Sequence, residues 1–359
     1  MDQLPERASR VRIPHEMKQI IAVLLTVYLL TATGYAYGPR GHALVGAIAD
    51  RRLAPNAAVA NRVTQLLDGL TLEQAATLPD AIKNWDLCQT HPNQSAVTTR
   101  KRINDELRAF LNANRCDSSP SHHDFHFTDV PVFGHERYSD GQVGRSLFDI
   151  VHMIPFCIRV LKGQEPETNA RAITKSVAVI LLTHYLGDIH QPLHVGAEYF
   201  DASLKPFEPT NANKGFADQG GNKLTLFTLV HGHEVSANKF HSYWDGQTVE
   251  NAFGSVPDST VAQKLAQNEP ANWKLTGEVE TWAEQLADDI MPASREAHAR
   301  LDFKSIQAHT GDKDITSGRA EERTQHGGTF YAIWAASIVK PEIHKAGWRL
   351  AALLEATLQ

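Results

Sequence analysis

The chain has 359 residues, of which 42% are apolar and 21% are charged. This mixture is typical of a globular protein that buries its core in one large domain or two small ones, and it excludes extensive disorder. The formal net charge of −6 has the wrong sign for a protein that binds nucleic acid through its overall charge.

The N-terminal segment has the pattern of a secretory signal peptide. Basic residues precede an apolar run, Ile20 to Leu30, that is too short to span a bilayer comfortably. Small residues follow, so we expect cleavage after Ala36, with a membrane anchor as the alternative. The mature chain, residues 37–359, is then secreted or periplasmic. Cleavage removes four basic and three acidic side chains and leaves a formal charge of −7.

Apolar residues recur at helical spacing along the chain, which predicts a mainly helical, all-α fold in a single domain with long loops. Between Gly187 and His241, clusters of Gly, Pro and Asn surround one strand-like run, Leu224 to Val230, which allows one small β-hairpin. A polar loop is predicted at roughly residues 302–328. The helical segments lie, in chain order, within residues 42–49, 173–181, 279–290 and 343–353.

Three cysteines fit an oxidising compartment with at most one internal disulfide. Cys88 and Cys116 flank a polar stretch typical of a surface insertion, so we expect them to pair. Cys157 lies among apolar residues and is expected to be a buried thiol. The sequence has no CxxC motif, so the thiols do not indicate a zinc site.

Pairs of His and Asp four residues apart are the informative feature among the 18 histidines. On a helix such a pair shares one face, so it can offer an imidazole nitrogen and a carboxylate oxygen to one metal ion. Chance predicts about one such pair in a chain of this composition. Three occur: His184/Asp188, His241/Asp245 and His298/Asp302.

Sequence context separates the first two pairs from the third. The first pair continues an apolar stripe that starts at Ile173, which predicts a position on the buried face of one helix, where an unpaired carboxylate is costly. A turn at Pro192 can return His194 to the same region. A structural ion pair is the alternative interpretation. The pair His298/Asp302 is interpreted as solvated, on a charged helix face.

Further candidate ligands are His42, Asp80 and His126, each of which on its own is more typical of a structural position. Five stretches carry more information: GHALVGAIA (41–49), HFTDVP (126–131), HYLGDIHQPLHVG (184–196), GGN (220–222) and FHSYWD (240–245). The thirteen-residue stretch 184–196 is highly specific, whereas GGN alone is weak. Together these stretches resemble the zinc-dependent S1/P1 nuclease family across the whole mature chain.

The resemblance implies the helical fold that this family shares with bacterial zinc-dependent phospholipase C, and three zinc ions per chain. Since Tyr37 would bind through its backbone amine and carbonyl, signal cleavage and activity are expected to be coupled. Members of the family usually have Trp in place of Tyr37 and of Leu78. The implied ligands are Asp80, His126, His184 and Asp188 for one zinc, Tyr37, His42 and the bridging Asp188 for the second, and His194, His241 and Asp245 for the third.

The implied activity is endonucleolytic hydrolysis of single-stranded DNA or RNA to 5′-phosphorylated products, with 3′-nucleotidase activity left open. Alongside the zinc ligand Asp80, the side chains of Lys83 and Asn222 would act in catalysis by stabilising charge on the phosphate. A solvated helix charge and a turn residue are their alternative interpretations. Three zinc ions also supply positive charge where a phosphate docks. A monomer without a stable protein partner is expected.

Two other functions are open at this point. A phospholipase C can use the same ligands on a lipid head group, although GGN favours the nuclease and the sequence has no evident apolar loop for a membrane surface. A non-catalytic zinc-binding protein predicts closed sites, whereas the ligand sets above leave a position for water.

Overall fold

The chain folds mainly into helices, which confirms the predicted class. The structure, a computed structural model, describes residues 37–134, 136–230, 233–323 and 328–359. The predicted signal peptide lies outside the described residues. Their α-helices are α1 (Gly38–Leu53), α2 (Ala57–Leu66), α3 (Leu72–Ala75), α4 (Leu78–Ala81), α5 (Lys101–Ala113), α6 (Ile150–Leu161), α7 (Lys175–Asp188), α8 (Phe240–Ser242), α9 (Thr248–Phe253), α10 (Asp258–Gln267), α11 (Trp282–Ala299) and α12 (Tyr331–Leu358).

Helix α7 lies at the centre of the fold. Thr174 caps its N-terminus by accepting a hydrogen bond from the backbone N–H of Val177 (3.2 Å). Every residue from Ser176 to Asp188 is buried, because α1, α5, α6 and α12 pack around the helix. The predicted helix and the predicted burial of His184 and Asp188 are confirmed. The helix begins after Ile173, however, and is buried on all sides rather than on one face.

The long C-terminal helix α12 packs closely along α1. A Cβ atom on Gly347 of α12 would lie 2.6 Å from Cβ of Ile48 and 3.1 Å from the carbonyl oxygen of Val45. The missing side chain therefore lets the two helix backbones approach. This contact holds α1 against the core and fixes the position of His42, which α1 carries.

The strands form one four-stranded sheet and two short pairs. The predicted run at residues 224–230 is β5, which forms an antiparallel hairpin with β6. In the larger sheet, β5 also pairs in parallel with β8, and β8 pairs antiparallel with β7. The strands are β1 (Val130–Pro131), β2 (Gly196–Ala197), β3 (Tyr199–Phe200), β4 (Phe216–Ala217), β5 (Leu224–Val230), β6 (His233–Lys239), β7 (Leu301–Gln307) and β8 (Ser317–Glu322).

The predicted polar loop at residues 302–328 was wrong, because most of β7 and all of β8 lie within it. Strand β8 has few residues that favour strands, but it is held by neighbours on both sides, and its Ala320 is fully buried. On β7, Phe303 packs edge-on against Phe200 with ring centroids 5.5 Å apart. Tertiary contacts therefore outweigh the local polar composition.

The third His–Asp pair was also interpreted wrongly. His298 is 2% exposed, donates from Nδ1 to the carbonyl oxygen of Ser294 (2.8 Å), and has Nε2 3.3 Å from Asp218. Asp302 lies on β7, beyond the end of α11, and forms an ion pair with Arg323. The two residues therefore do not share a helix face.

The cysteines behave as predicted. Cys88 and Cys116 form a disulfide, and Cys157 is a buried free thiol. Within the described part of the chain, no helix combines the length and the apolar character needed to cross a membrane.

Candidate metal centre

The sequence-predicted ligand side chains meet where the last turn of α7 faces several short turns. Asp245 lies in a π-helical turn, Tyr243–Gln247, a rare geometry that is frequent at functional sites. The pairing of β1 with β2 places the segment after His126 beside the segment after His194. The other positions are His42 on α1, Asp80 on α4, His126 in the 3₁₀ turn His122–His126, His184 and Asp188 on α7, His194 in the 3₁₀ turn Pro192–His194, and His241 on α8.

Asp188 occupies the middle of this group and is fully buried. Its Oδ1 lies 3.3 Å from Nε2 of His42, and its Oδ2 lies 3.3 Å from Nε2 of His184 and 2.9 Å from Nδ1 of His126. Burial acts to raise the pKa of Asp188, but the His184 and His194 imidazoles hold it well below its usual range. The carboxylate is therefore ionised and has imidazoles on both oxygens.

Asp80 joins His126 and His184 in one potential metal-binding group. Its Oδ1 lies 3.7 Å from Nε2 of His184 and accepts a hydrogen bond from Nζ of Lys83 (2.7 Å). Burial opposes ionisation of Asp80, but the Lys83 charge lowers its pKa to about 2. Burial likewise opposes the Lys83 cation, and the Asp80 carboxylate raises the pKa of Lys83 above its usual value.

A second group contains His42, His184 and Asp188. The two imidazoles stack with ring centroids 3.8 Å apart. Gly187 makes room for this arrangement, since a Cβ there would lie 2.5 Å from Nδ1 of His42. Tyr37 precedes α1 and is fully buried, and its hydroxyl donates to the carbonyl oxygen of His190.

The third group contains His194, His241 and Asp245. The Nε2 atoms of the two imidazoles lie 3.1 Å apart, and Oδ2 of Asp245 lies 3.7 Å from Nε2 of His241. Gln191 donates from Nε2 to the other carboxylate oxygen of Asp245 (2.9 Å). Burial, with the Asp80 and Asp188 carboxylates nearby, holds the pKa of Asp245 well above its usual range.

Backbone carbonyls fix the orientation of three imidazoles. Nδ1 of His184 donates to Ala76 (2.8 Å), Nδ1 of His194 to His126 (2.8 Å), and Nδ1 of His241 to Gly220 (2.7 Å). Each neutral ring therefore has its proton on Nδ1 and a lone pair on Nε2. Such outer hydrogen bonds are typical of metal-binding histidines.

These orientations leave buried polar atoms whose chemistry fits a cation. The lone pairs on Nε2 of His194 and His241 face each other, and neither ring has a proton to place between them. Nε2 of His184, both ring nitrogens of His42, Oδ1 of Asp188 and Oδ2 of Asp245 are buried without a hydrogen-bond partner. Leaving such atoms unpaired costs about 1–3 kcal/mol each.

The spacing of the donor atoms suits zinc. Bonds of about 2.0–2.1 Å at tetrahedral angles place two ligand atoms about 3.3 Å apart. The distances from Asp188 to His42 and His184 are both 3.3 Å. The group of His194, His241 and Asp245 supplies three donors and so leaves a fourth position free. The residues present therefore fit zinc.

A cavity of about 300 Å³ is lined by His126 of the first group and by His194 and His241 of the third. Lys83 and Asn222 both line it; Asn222 is exposed and donates to the carbonyl oxygen of Gln219 (3.0 Å). Phe127 and Asp129 also line the cavity, although sequence analysis gave them no role. Both lie in the stretch at 126–131, so their proximity to His126 was the available signal.

A further group, Asp86, His122 and His123, was missed at the sequence level. The adjacent histidines are visible in the sequence, but Asp86 is 36 residues before His122, so no helical spacing links them. Gln191 was also missed, although it lies inside the thirteen-residue stretch between two assigned histidines.

Comparison with known proteins agrees with this geometry. The family description S1/P1 Nuclease matches residues 37–359. The chain therefore belongs to the S1/P1 nuclease family, which is metal-dependent.

Its similarity to individual relatives is low but extends over nearly the whole chain. It is 23% identical to Endonuclease 4 of Arabidopsis thaliana over 344 residues, which cover 94% of each chain. It is also 23% identical to Endonuclease 2 of the same plant over 343 residues, covering 93% of this chain and 96% of that one. The protein is a nuclease, a hydrolase of phosphodiester bonds.

Proposed function

We propose that the chain is a trinuclear-zinc endonuclease that cuts single-stranded DNA or RNA and leaves 5′-phosphorylated products. The observation that carries the proposal is the set of buried, unpaired donor atoms centred on Asp188. Asp188 is ionised among largely neutral imidazoles, and the buried Asp245 needs positive charge beside it to ionise, so divalent cations supply the missing positive charge.

We assign the metal-binding residues as follows. Asp80, His126, His184 and Asp188 hold one zinc, while Tyr37 through its backbone, His42 and Asp188 hold the second. His194, His241 and Asp245 hold the third. Bound zinc supplies Lewis acidity, which acidifies water and polarises phosphoryl oxygens.

Lys83 and Asn222 are the protein groups suited to the phosphate. The Asp80 carboxylate keeps Lys83 cationic and fixes its Nζ at the cavity wall, where its remaining N–H groups can donate to phosphate oxygens. Asn222 adds an amide donor on the loop that follows Gly220 and Gly221. Both glycines have positive φ angles, 55° and 81°, which favour glycine at these turn positions.

The size and the lining of the cavity favour single-stranded over double-stranded nucleic acid as the substrate. Its volume of about 300 Å³ suits one nucleotide unit rather than a paired duplex. Phe127 lines the wall and offers an aromatic face on which an unpaired base can stack. A base inside a duplex does not expose its face, so an unpaired strand is favoured.

Export is part of the same proposal. Gly38 lies so close to the third group that a Cβ there would be 2.9 Å from the backbone oxygen of Asp245. Tyr37 therefore lies beside the metal ligands. Cleavage after Ala36 would make its backbone nitrogen a free N-terminal amine at that place. The disulfide fits a secreted or periplasmic location. Zinc content of a chain beginning at Tyr37, compared with one beginning at Gly34, tests this coupling.

The decisive experiment combines metal analysis with hydrolysis. The chain beginning at Tyr37 should retain close to three zinc ions after dialysis and should cut single-stranded DNA and RNA faster than duplex DNA. Chelation should abolish cleavage and added zinc should restore it. Asp188→Asn should lower both zinc content and rate, the latter by more than about a hundredfold. His152→Gln is the matched control, since His152 pairs with the buried Asp149 away from the cluster.

The outcomes separate the alternatives. Hydrolysis of phosphatidylcholine without nucleic-acid cleavage would assign the site to a phospholipase C. Less than one zinc per chain with no hydrolysis would refute the three-metal site.

A further inference from the structure

A fourth group of possible ligand side chains lies beside the three metal-binding groups described above, which together form the zinc cluster. Nε2 of His122 lies 3.0 and 2.9 Å from the two carboxylate oxygens of Asp86, and Nε2 of His123 lies 2.8 Å from Oδ2. We propose that Asp86, His122 and His123 form an additional divalent-metal site that takes Zn²⁺. Two imidazoles and one carboxylate are a common donor set for zinc with an open position.

The geometry of the two imidazoles supports this assignment. They are adjacent in sequence, yet both rings direct the same nitrogen, Nε2, at one carboxylate of Asp86. Their centroids lie 4.1 Å apart with an interplanar angle of 35°. The three ligand atoms lie within 4.8 Å of one another, as in the groups assigned to the cluster.

The same two chain segments build this group and one of the cluster groups. Asp80, Lys83 and Asp86 follow one another at intervals of three residues across α4 and the next 3₁₀ turn. The 3₁₀ turn His122–His126 supplies histidines from both its ends. Asp80 lies beside His126 in one metal-binding group, and Asp86 contacts His122 and His123 at the opposite end of that turn. Both groups therefore lie at the same interface between these two chain segments.

Charge also favours a cation. Asp86 is 2% exposed, and its ion-pair partners among the described residues are the two imidazoles. Among the described residues, neither a lysine nor an arginine pairs with this carboxylate, so a divalent cation held with the two Nε2 atoms would supply the positive charge that a buried carboxylate favours.

The scaffold fixes these ligands without metal. Cys88 and Cys116 form a disulfide that ties the segment after Asp86 to the segment before the 3₁₀ turn. The backbone N–H of His122 donates to the carbonyl oxygen of Asn114 (2.9 Å). A site held in this way loses little conformational freedom when a metal binds.

One ligand of the group reaches the substrate cavity. The His123 side chain is 40% exposed and lines the cavity together with Lys83 and His126. Three protein ligands leave a fourth position on the metal, which water or a phosphate oxygen can take from the side of His123. If the proposed nuclease function holds, a phosphate next to the scissile one binds this zinc. This last step rests on the proposed function, whereas metal binding itself does not.

The test is a zinc titration of the chain beginning at Tyr37, dialysed until only tightly bound metal remains. Native mass spectrometry at rising Zn²⁺ should show one more zinc, four in place of three, and anomalous scattering at the zinc edge should place it between Asp86, His122 and His123. The variants His123→Gln and Asp86→Asn should lose this ion and keep the rest. His152→Gln, another histidine on a buried aspartate, should keep all of them.

Activity provides a second readout. In His123→Gln, KM for a long single strand should rise about fivefold with kcat unchanged, because one phosphate contact is lost. KM for a dinucleotide should stay the same. The proposal fails if the wild-type chain and both variants bind the same number of zinc ions and no anomalous peak appears at Asp86. Since metal counting needs no cleavage, failure of the nuclease proposal would be seen separately.

Discussion

Substituting Gly187 by alanine tests whether the position of His42 depends on the missing side chain. The added Cβ would lie 2.5 Å from Nδ1 and 2.8 Å from Cε1 of His42. Ordinary contacts need about 3.4 Å, so the ring has to move by about 0.9 Å. Zinc ligands tolerate displacements of only about 0.2 Å. We expect Gly187→Ala to weaken binding of one zinc about 10- to 100-fold, and the overpacked core to lose about 1–3 kcal/mol.

The assay is zinc retention against a competing chelator, with thermal unfolding and kcat/KM measured on the same samples. Gly246→Ala is the matched control, because Gly246 adjoins the ligand Asp245 but an added Cβ meets nothing within 4 Å. In a His42→Ala background, Gly187→Ala should cause no further loss of zinc affinity. Wild-type zinc affinity in the single variant Gly187→Ala would refute the steric reasoning.

Three further predictions follow from the electrostatics and the disulfide. Lys83→Met should lower kcat about 10²–10³-fold while zinc content is retained; unchanged kcat would remove Lys83 from the mechanism. In the metal-free chain, burial lowers the pKa of His184 to about 4. As pH falls, His184 is therefore protonated in the unfolded chain before it is protonated in the folded chain. The His184 contribution to the free energy of unfolding should therefore decrease by up to about 3 kcal/mol between about pH 6.5 and 4, measured by urea titration of the wild type against His184→Gln, and identical pH profiles would contradict this. The double variant Cys88→Ser, Cys116→Ser should lose about 3 kcal/mol of stability by the same measurement, and equal stability would show that the cross-link does not constrain the unfolded chain.

The helices were predictable because their signals are local: apolar spacing located α1, α7, α11 and α12. The candidate ligand set came mainly from the resemblance to the nuclease family, whereas spacing along the chain indicated only the pairs His184/Asp188 and His241/Asp245. Strand β8 was not predictable, since its neighbour β5 lies almost one hundred residues earlier and its own residues favour no strand. The burial of His298 was missed for the same reason, because its partner Asp218 is 80 residues away.

The complete burial of α7 also escaped prediction. Apolar spacing identifies a helix, but the number of faces that neighbours cover depends on elements far away in sequence, here α1 and α12. The group at Asp86 shows a similar limit. Spacing rules detect ligands on one helix and do not detect two turns that meet only in the folded chain.

The wide distribution of the ligand-bearing segments has a consequence for the producing cell. The donor side chains extend from His42 to Asp245, and α12, which packs on α1 and α7, follows all of them in sequence. A partly synthesised polypeptide therefore lacks either a donor or the helix that supports the donors. A nuclease built in this way would lack a complete, supported donor set until synthesis has passed residues 331–358.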